Sequence, residues 1–305
     1  MIRYRMQVEV KYLKEVEKMK KTKSLKIISL ILSFVFIFGS FVYADTSTVV
    51  TLGKDLDDGQ KKQIMELFKV DEKNITVLEV NNQEERKYLE GIASEAQLGK
   101  LTLSSAYVEL LEEGSGIEVE TYNISWVTKE MYANALVTAG VENAKVVAAA
   151  PFPVSGTGAL TGILKAFEEA SGENIGEDQK KVANEEIVRV GELGEEVGQD
   201  KASELFRIVK ERIIEKGIKD PEEIKKIIIE IAATLDINLS TDQIESIMGL
   251  MEKITKLGLN TETIKNQLKN IGDKLDDTLK NNEEVKSLLQ KILDAIKNFF
   301  SSLFN

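Results

Sequence analysis

The sequence predicts an α+β protein with an N-terminal mixed sheet, helices on one face of that sheet, and an all-helical C-terminal half. Short runs of β-branched residues alternate with amphipathic helical patterns up to residue 154. Beyond Ser155, strand patterns stop and one helical pattern follows another. We therefore expect an α+β domain over residues 45–154 and a helical domain over residues 155–282, with the boundary near Pro151–Gly156.

Apolar spacing and caps define the elements of the first half. Asn74–Val80 alternates as a half-buried strand does. Thr128–Gly140 begins with a threonine that can cap a helix and ends at a glycine that can stop it. The other expected elements are strands at Ser47–Leu52 and Ala144–Ala150, the latter ended by Pro151, and helices at Asp55–Val70 and Gln83–Gly91.

A β-hairpin is predicted around the turn sequence Glu112–Gly116. Leu101–Leu111 and Ile117–Tyr122 flank this turn, which contains two glycines. Because side chains alternate along a strand, Glu118 and Glu120 should share one face of the second strand.

The second half reads as consecutive helices. Asp220-Pro221 is a clean helix start, because proline is favoured at the first helical position. Ser240 and Gln243 have the spacing of a capping box. We expect helices near residues 157–171, 177–196, 200–216, 221–235, 241–257, 261–280 and 283–304.

Residues 1–44 have the pattern of a secretory signal peptide. Lysines precede an apolar run over residues 25–44, and Val42-Tyr43-Ala44 resembles a cleavage site. Met19 is the expected initiator, which would leave residues 1–18 outside the translated protein, and a long n-region is the alternative. The run is just long enough to span a bilayer, so a retained membrane anchor is the alternative.

Composition narrows the chemistry. The chain has no cysteine and no histidine, which excludes disulfides, thiol nucleophiles, classical zinc sites and histidine-based triads. Without residues 1–44, the chain carries 31 basic and 48 acidic residues, a net charge of −17. Such a surface repels nucleic acid, so no nucleic-acid partner is expected.

One candidate metal site follows the first strand. Asp55, Asp57 and Glu66 occupy positions one, three and twelve of a calcium-loop pattern. The glycine needed at position six is Gln60, and the next residues continue into a helix. Capping of that helix by Asp55 or Asp57 is the alternative to Ca²⁺ binding, and no other cofactor is indicated.

A candidate ligand site lies at the crossover between the two halves. Ser155, Gly156, Thr157, Gly158 and Gly162 form a GxGxxxG pattern that opens a helix, where backbone N–H groups can meet an anion or a polysaccharide. Close packing between the halves is the alternative. Ser155 with Lys165 is also a conceivable histidine-free nucleophile pair.

The C-terminal segment, residues 283–305, is a predicted amphipathic helix. Its apolar stripe is flanked by Lys286, Lys291 and Lys297, a locally basic pattern in an acidic chain. This suits contact with a membrane surface or a partner helix, with docking onto the helical domain as the alternative. The contact residues would be Ile292, Ile296, Phe299, Phe300 and Phe304.

Several stretches resemble a known family. The sequences NALVTAGV at Asn134–Val141 and APFPVSGTGALTG at Ala150–Gly162 are long and specific, and TLGKDL at Thr51–Leu56 and ETYNIS at Glu120–Ser125 accompany them. Together they resemble the secreted Gram-positive proteins catalogued as domain of unknown function 1002. The resemblance implies export and a two-part organisation over residues 45–300, and it transfers no catalytic residues.

These observations favour an exported, non-enzymatic protein that binds cell-wall polymer, a membrane surface or another exported protein. An acid-based hydrolase of wall glycans, using Glu118 and Glu120, is one alternative. A calcium-responsive structural protein is another.

Overall fold

A computed structural model describes residues 48–71, 73 and 75–279, and a five-stranded mixed sheet organises the first half of this range. Its strand order is β2-β1-β3-β5-β4. β1 is parallel to β2 and β4 is parallel to β5, whereas β3 is antiparallel to both β1 and β5. The strands are β1 (Thr48–Gly53), β2 (Thr76–Val80), β3 (Ser105–Leu110), β4 (Ile117–Ile124) and β5 (Ala144–Val154).

Ten helices lie within the described residues, and the second half contains only helices. Most begin at a residue whose side chain accepts a hydrogen bond from the first turn, as Thr128 and Ser240 do. The helices are α1 (Asp58–Phe68), α2 (Asn82–Leu89), α3 (Glu95–Leu98), α4 (Lys129–Ala139), α5 (Ala159–Ser171), α6 (Glu177–Val197), α7 (Gln199–Lys216), α8 (Pro221–Thr234), α9 (Thr241–Lys256) and α10 (Thr261–Leu279).

The predicted fold class is confirmed, with helices on both faces of the sheet rather than one. Val50 and Leu52 of β1 pack with Ile64 and Phe68 of α1. Val49, one residue along, belongs to the larger core on the opposite face, where α4 and α5 lie. The period-two alternation of β1 thus supplies both faces with apolar side chains.

The predicted β3–β4 hairpin is wrong. β5 lies between the two strands and pairs with each, for example through Val146, which is opposite Val108 in β3 and Val119 in β4. The turn with its glycines is present, but it joins strands that are not neighbours. A third strand that is apolar on both faces lies between them, because it can be covered on both sides.

β5 continues past the proline that was expected to end it. Ala149 is its last residue paired with β3, and Pro151 and Pro153 come after it. One side of β5 is therefore a free edge at the prolines, where the missing N–H breaks no ladder. Asn123, at a positive φ of 56°, marks the irregularity in β4 opposite this stretch.

The helical half completes the core of the sheet. α5 packs directly on β1 and β3, and α6 packs on α4 and α7. A single apolar core runs from Val49 to Ile271, so no break in packing marks the predicted boundary near residues 151–156. The predicted signal peptide, residues 1–44, and the predicted amphipathic tail, residues 283–305, lie outside the described residues.

Candidate functional site

The crossover from β5 to α5 forms one wall of a pocket of about 300 Å³. We call it the crossover pocket. Of the residues that the sequence nominated for a ligand, Ser155, Thr157 and Gly158 line it. The other lining residues are Glu85 of α2, residues 96–101, Leu103, Ser104 and Val154.

The hydroxyl groups of the crossover hold the opposite wall. Thr157 Oγ1 donates to the carbonyl oxygen of Gln97 at 2.7 Å, and Ser155 Oγ lies 3.3 Å from the same oxygen. A second clamp joins the Arg86 guanidinium to both carboxylate oxygens of Glu95 at 2.9 and 2.8 Å. These bonds fix α3, a single helical turn, across the pocket from α5.

Glu85 is the unusual group of the pocket. It is 3% exposed, and the hydrogen bond that its carboxyl accepts from Asn82 Nδ2 is long at 3.5 Å. Burial raises the pKa of its carboxyl to about 7, while the side chains of Thr102 and Asn82 offset part of the rise. Within the described part of the chain it forms no salt bridge. A buried acid with a raised pKa that lines a pocket is typical of a functional site.

The three glycines of the GxGxxxG pattern are required by close packing. Gly156 has a φ of +91°, and a Cβ there would lie 2.7 Å from the Tyr132 hydroxyl. A Cβ at Gly158 would overlap the Glu85 carboxyl group, and one at Gly162 would lie 2.7 Å from Thr51 Oγ1. The close-packing alternative therefore explains the glycines, and Gly158 also lets Glu85 reach the N-terminus of α5.

Ser155 and Lys165 do not form a nucleophile pair. The Lys165 ammonium donates to Glu84 Oε1 at 2.6 Å and to the Glu79 carbonyl at 2.7 Å. The Ser155 hydroxyl contacts Gln97 and Thr157 instead. Each group has its own structural partner.

The three calcium candidates are not assembled into one site. Asp57 caps α1 by accepting from the Gln60 N–H at 2.8 Å, and Asp55 accepts from the Thr102 N–H at 2.8 Å. Glu66 lies 3.8 Å from Lys62 at the surface. In the described ranges, no group of three or more acidic side chains is arranged to hold a metal ion.

Glu118 and Glu120 lie exposed on β4, as the alternation predicted. Glu120 accepts a hydrogen bond from the Tyr122 hydroxyl at 3.0 Å and lies 3.6 Å from Lys145. Neither acid lines the crossover pocket. The pair has the setting of a solvated strand face.

A second buried glutamate, Glu186 of α6, is fully paired. The Lys210 ammonium donates to Glu186 Oε1 at 2.5 Å, to Thr138 Oγ1 at 2.7 Å and to the Asn134 carbonyl at 2.8 Å. Burial lowers the pKa of Lys210, against the attraction of Glu186. This cluster joins α4, α6 and α7 and does not line the crossover pocket.

A larger and more open groove, of about 740 Å³, lies between α1 and β2. Its charged groups include the pairs Lys61–Glu79 at 3.0 Å and Lys62–Glu66 at 3.8 Å. Because the charges in these exposed pairs neutralise each other, the groove is a weaker candidate for a ligand site than the crossover pocket. Within the described ranges, no helix combines the length and the apolar character of a membrane span.

Comparison with known proteins assigns the chain to a family. Residues 52–271 match the model of the family described as "Protein of unknown function (DUF1002)". The chain belongs to the DUF1002 family. This DUF1002 protein is also 39% identical over 258 residues to "Uncharacterized protein YpuA" of Bacillus subtilis (strain 168), covering 84% of this chain and 87% of that one. No solved structure matches it.

Glu85 is the residue of the site that sequence reasoning missed. Its helix, NQEERKYL, is strongly polar, so the glutamate reads as one of several surface acids. The available indication was its spacing from Leu89, since Glu85 and Leu89 are the two buried residues of α2 and lie four positions apart on one face.

Proposed function

We propose that this protein is an exported, non-enzymatic component of the cell envelope that binds a small polar ligand in the crossover pocket. The single observation that carries the proposal is Glu85, a buried carboxyl group without an ionic partner in the described residues, which lines a pocket of about 300 Å³. Pockets at the lower end of the ligand-binding range have this volume. The predicted signal peptide supports the location.

Binding fits the pocket better than catalysis does. Glycoside hydrolysis commonly needs two carboxyl groups on opposite sides of the bond that is cleaved, whereas Glu85 is the one acid among the pocket's lining residues. The crossover hydroxyls of Ser155 and Thr157 are bonded to the Gln97 carbonyl. The pocket therefore offers hydrogen-bonding groups in fixed positions rather than an activated nucleophile.

The predicted tail would supply attachment in the same proposal. A basic amphipathic segment over residues 283–305 suits a membrane surface or another exported protein, with Ile292, Phe299 and Phe304 among its contact residues. Attachment and ligand binding would then use separate parts of the chain.

The experiment tests the location of the protein first and its binding second. Cells that express the full chain are separated into cytoplasm, membrane, wall and medium, and the protein is recovered from the fraction that holds it. It is then incubated with soluble fragments of digested cell wall, and bound fragments are identified by native mass spectrometry. A cytoplasmic protein would overturn export, and a protein that retains no fragment would overturn the ligand class.

A matched pair of variants locates the binding site. Leu101 lines the pocket and is 59% exposed, so Leu101→Arg narrows the mouth with little effect on the core. Ile229 is 46% exposed on α8, so Ile229→Arg makes the same change elsewhere. We expect at least tenfold weaker retention for Leu101→Arg alone. Equal retention by both variants would place the ligand outside the crossover pocket.

A further inference from the structure

The crossover pocket has charges of opposite sign among its lining residues. Glu85 is buried, whereas Lys100 is exposed. The apolar side chains of Leu101, Leu103 and Val154 also line the pocket. The pocket thus combines an acid, a base and an apolar surface in about 300 Å³.

The two acids near Glu85 have hydrogen-bond partners of their own. Asp55 accepts from the Thr102 N–H at 2.8 Å. Glu84 accepts from the Asn81 N–H at 2.9 Å and from Lys165 at 2.6 Å. Both acids oppose ionisation of Glu85, and the Arg86 guanidinium, next in sequence, is bound to Glu95. Among the described residues, none forms a salt bridge with the Glu85 carboxyl.

We propose that the ligand itself supplies a cation: the crossover pocket binds a small zwitterion whose ammonium group pairs with Glu85 and whose carboxylate group meets Lys100. The inference rests on the proposed binding function and specifies its ligand class. A free amino acid and the free end of a short wall peptide share this chemistry. A buried carboxylate becomes favourable once a cation with good geometry reaches it.

Proton balance gives the proposal a measurable consequence. Burial raises the pKa of Glu85 to about 7, so the empty pocket holds a largely neutral acid in mildly acidic solution. When an ammonium group binds, the Glu85 O–H bond breaks and its proton leaves to the buffer, while the ligand keeps its own protons. Affinity should therefore rise by roughly tenfold or more between pH 5.5 and pH 7.5.

The test measures binding to the full protein by calorimetry in buffers of different ionisation enthalpy. The probes are D-alanine, L-alanine and the dipeptide D-alanyl-D-alanine, each compared with its N-acetylated form. N-acetylation removes the ammonium group and leaves the carboxylate group. We expect binding of at least one free amine, proton release on binding, and at least a tenfold loss on N-acetylation. The preferred probe distinguishes a free amino acid from a peptide end.

Two variants assign the charges. Glu85→Gln should abolish proton release and weaken the free amine at least tenfold, while Glu113→Gln, an exposed acid in the β3–β4 turn, should change neither. Lys100→Gln should weaken binding of the probes without affecting proton release. N-acetylated probes that bind equally well to the unaltered protein would overturn the charge assignment, even if wall fragments bind. If the protein binds no wall fragment, the proposed function itself would be overturned.

Discussion

Glu85 and Glu186 are both buried glutamates on helices, yet their surroundings are opposite. Glu186 is 0% exposed and meets a lysine and a threonine hydroxyl within 2.5 Å. Glu85 is 3% exposed, accepts a long hydrogen bond from the Asn82 amide at 3.5 Å, and has the acids Asp55 and Glu84 near enough to oppose its ionisation. The fold supplies the partners of the Glu186 carboxylate, whereas the Glu85 carboxyl lines a pocket.

The comparison separates a structural acid from a functional one. A buried charge that is paired and hydrogen-bonded joins the elements that carry it, here α4, α6 and α7. A buried acid without such partners lowers stability when it ionises, so the fold gains nothing from its charge. That Glu85 lines a pocket is what points to a partner outside the chain.

The largest effect should come from breaking the complete cluster. Lys210→Met leaves Glu186 buried without its cation, and we expect the free energy of unfolding to fall by about 3–5 kcal/mol. Urea denaturation at pH 7 measures this. Lys62→Met removes the cation of an exposed pair with Glu66, and should cost less than about 1 kcal/mol.

A double variant shows whether the pair or the packing is responsible. Lys210→Met with Glu186→Leu replaces both charges by apolar groups of similar size, so most of the lost stability should return. A Lys210→Met protein as stable as Lys62→Met would contradict the structural role of the cluster.

The second effect concerns Glu85 and depends on pH. Its folded pKa of about 7 lies above the ordinary 4.5, so the native state keeps a proton that the unfolded state has lost. Stability should therefore fall as pH rises from about 4.5 to about 7, by at most about 3 kcal/mol. Glu85→Gln should remove this fall, matching the unaltered protein at pH 4.5 and exceeding it at pH 8.

Thermal melting at the two pH values measures the difference. The exposed Glu113→Gln variant should keep the pH profile of the unaltered protein. Parallel profiles for Glu85→Gln and the unaltered protein would mean that the pKa of Glu85 is the same in the folded and unfolded states, which would contradict the effect of burial.

The smallest effect tests the packing of the crossover at Gly156. Gly156→Ala adds a Cβ at a φ of +91° beside the Tyr132 hydroxyl, and should cost about 1–3 kcal/mol. Gly114 has nearly the same φ, +88°, with open space around it, so Gly114→Ala isolates the backbone strain. Equal losses in chemical denaturation would show that the crossover is not tightly packed.

Sequence reasoning performed well where the information is local. The helix starts at Pro221 and Thr241 and the stop at Gly140 match the structure, because caps and proline act within one turn. Strand order was missed, since the turn at Glu112–Gly116 does not reveal that β5 will enter between β3 and β4. Pairing between distant strands depends on the whole core.

The same distinction between local and tertiary information holds for the candidate site. The crossover residues Ser155, Thr157 and Gly158 were identified from a contiguous motif, and they line the pocket. Glu85 lies more than 60 residues earlier in a polar helix, and α5 reaches it because Gly158 leaves room. A group whose character depends on tertiary burial cannot be read from its own helix.

The position of β5 between β3 and β4 also determines when the sheet can be completed. β4 pairs with β5 but not with β3, so a growing or threading chain carries β4 unpaired until residues 144–154 have followed it. The faces of β1 and β3 opposite α1 likewise remain uncovered until α5 arrives. If the chain is exported, this late assembly would keep its N-terminal half in a state that can pass through a narrow channel, with folding committed only after the crossover has emerged.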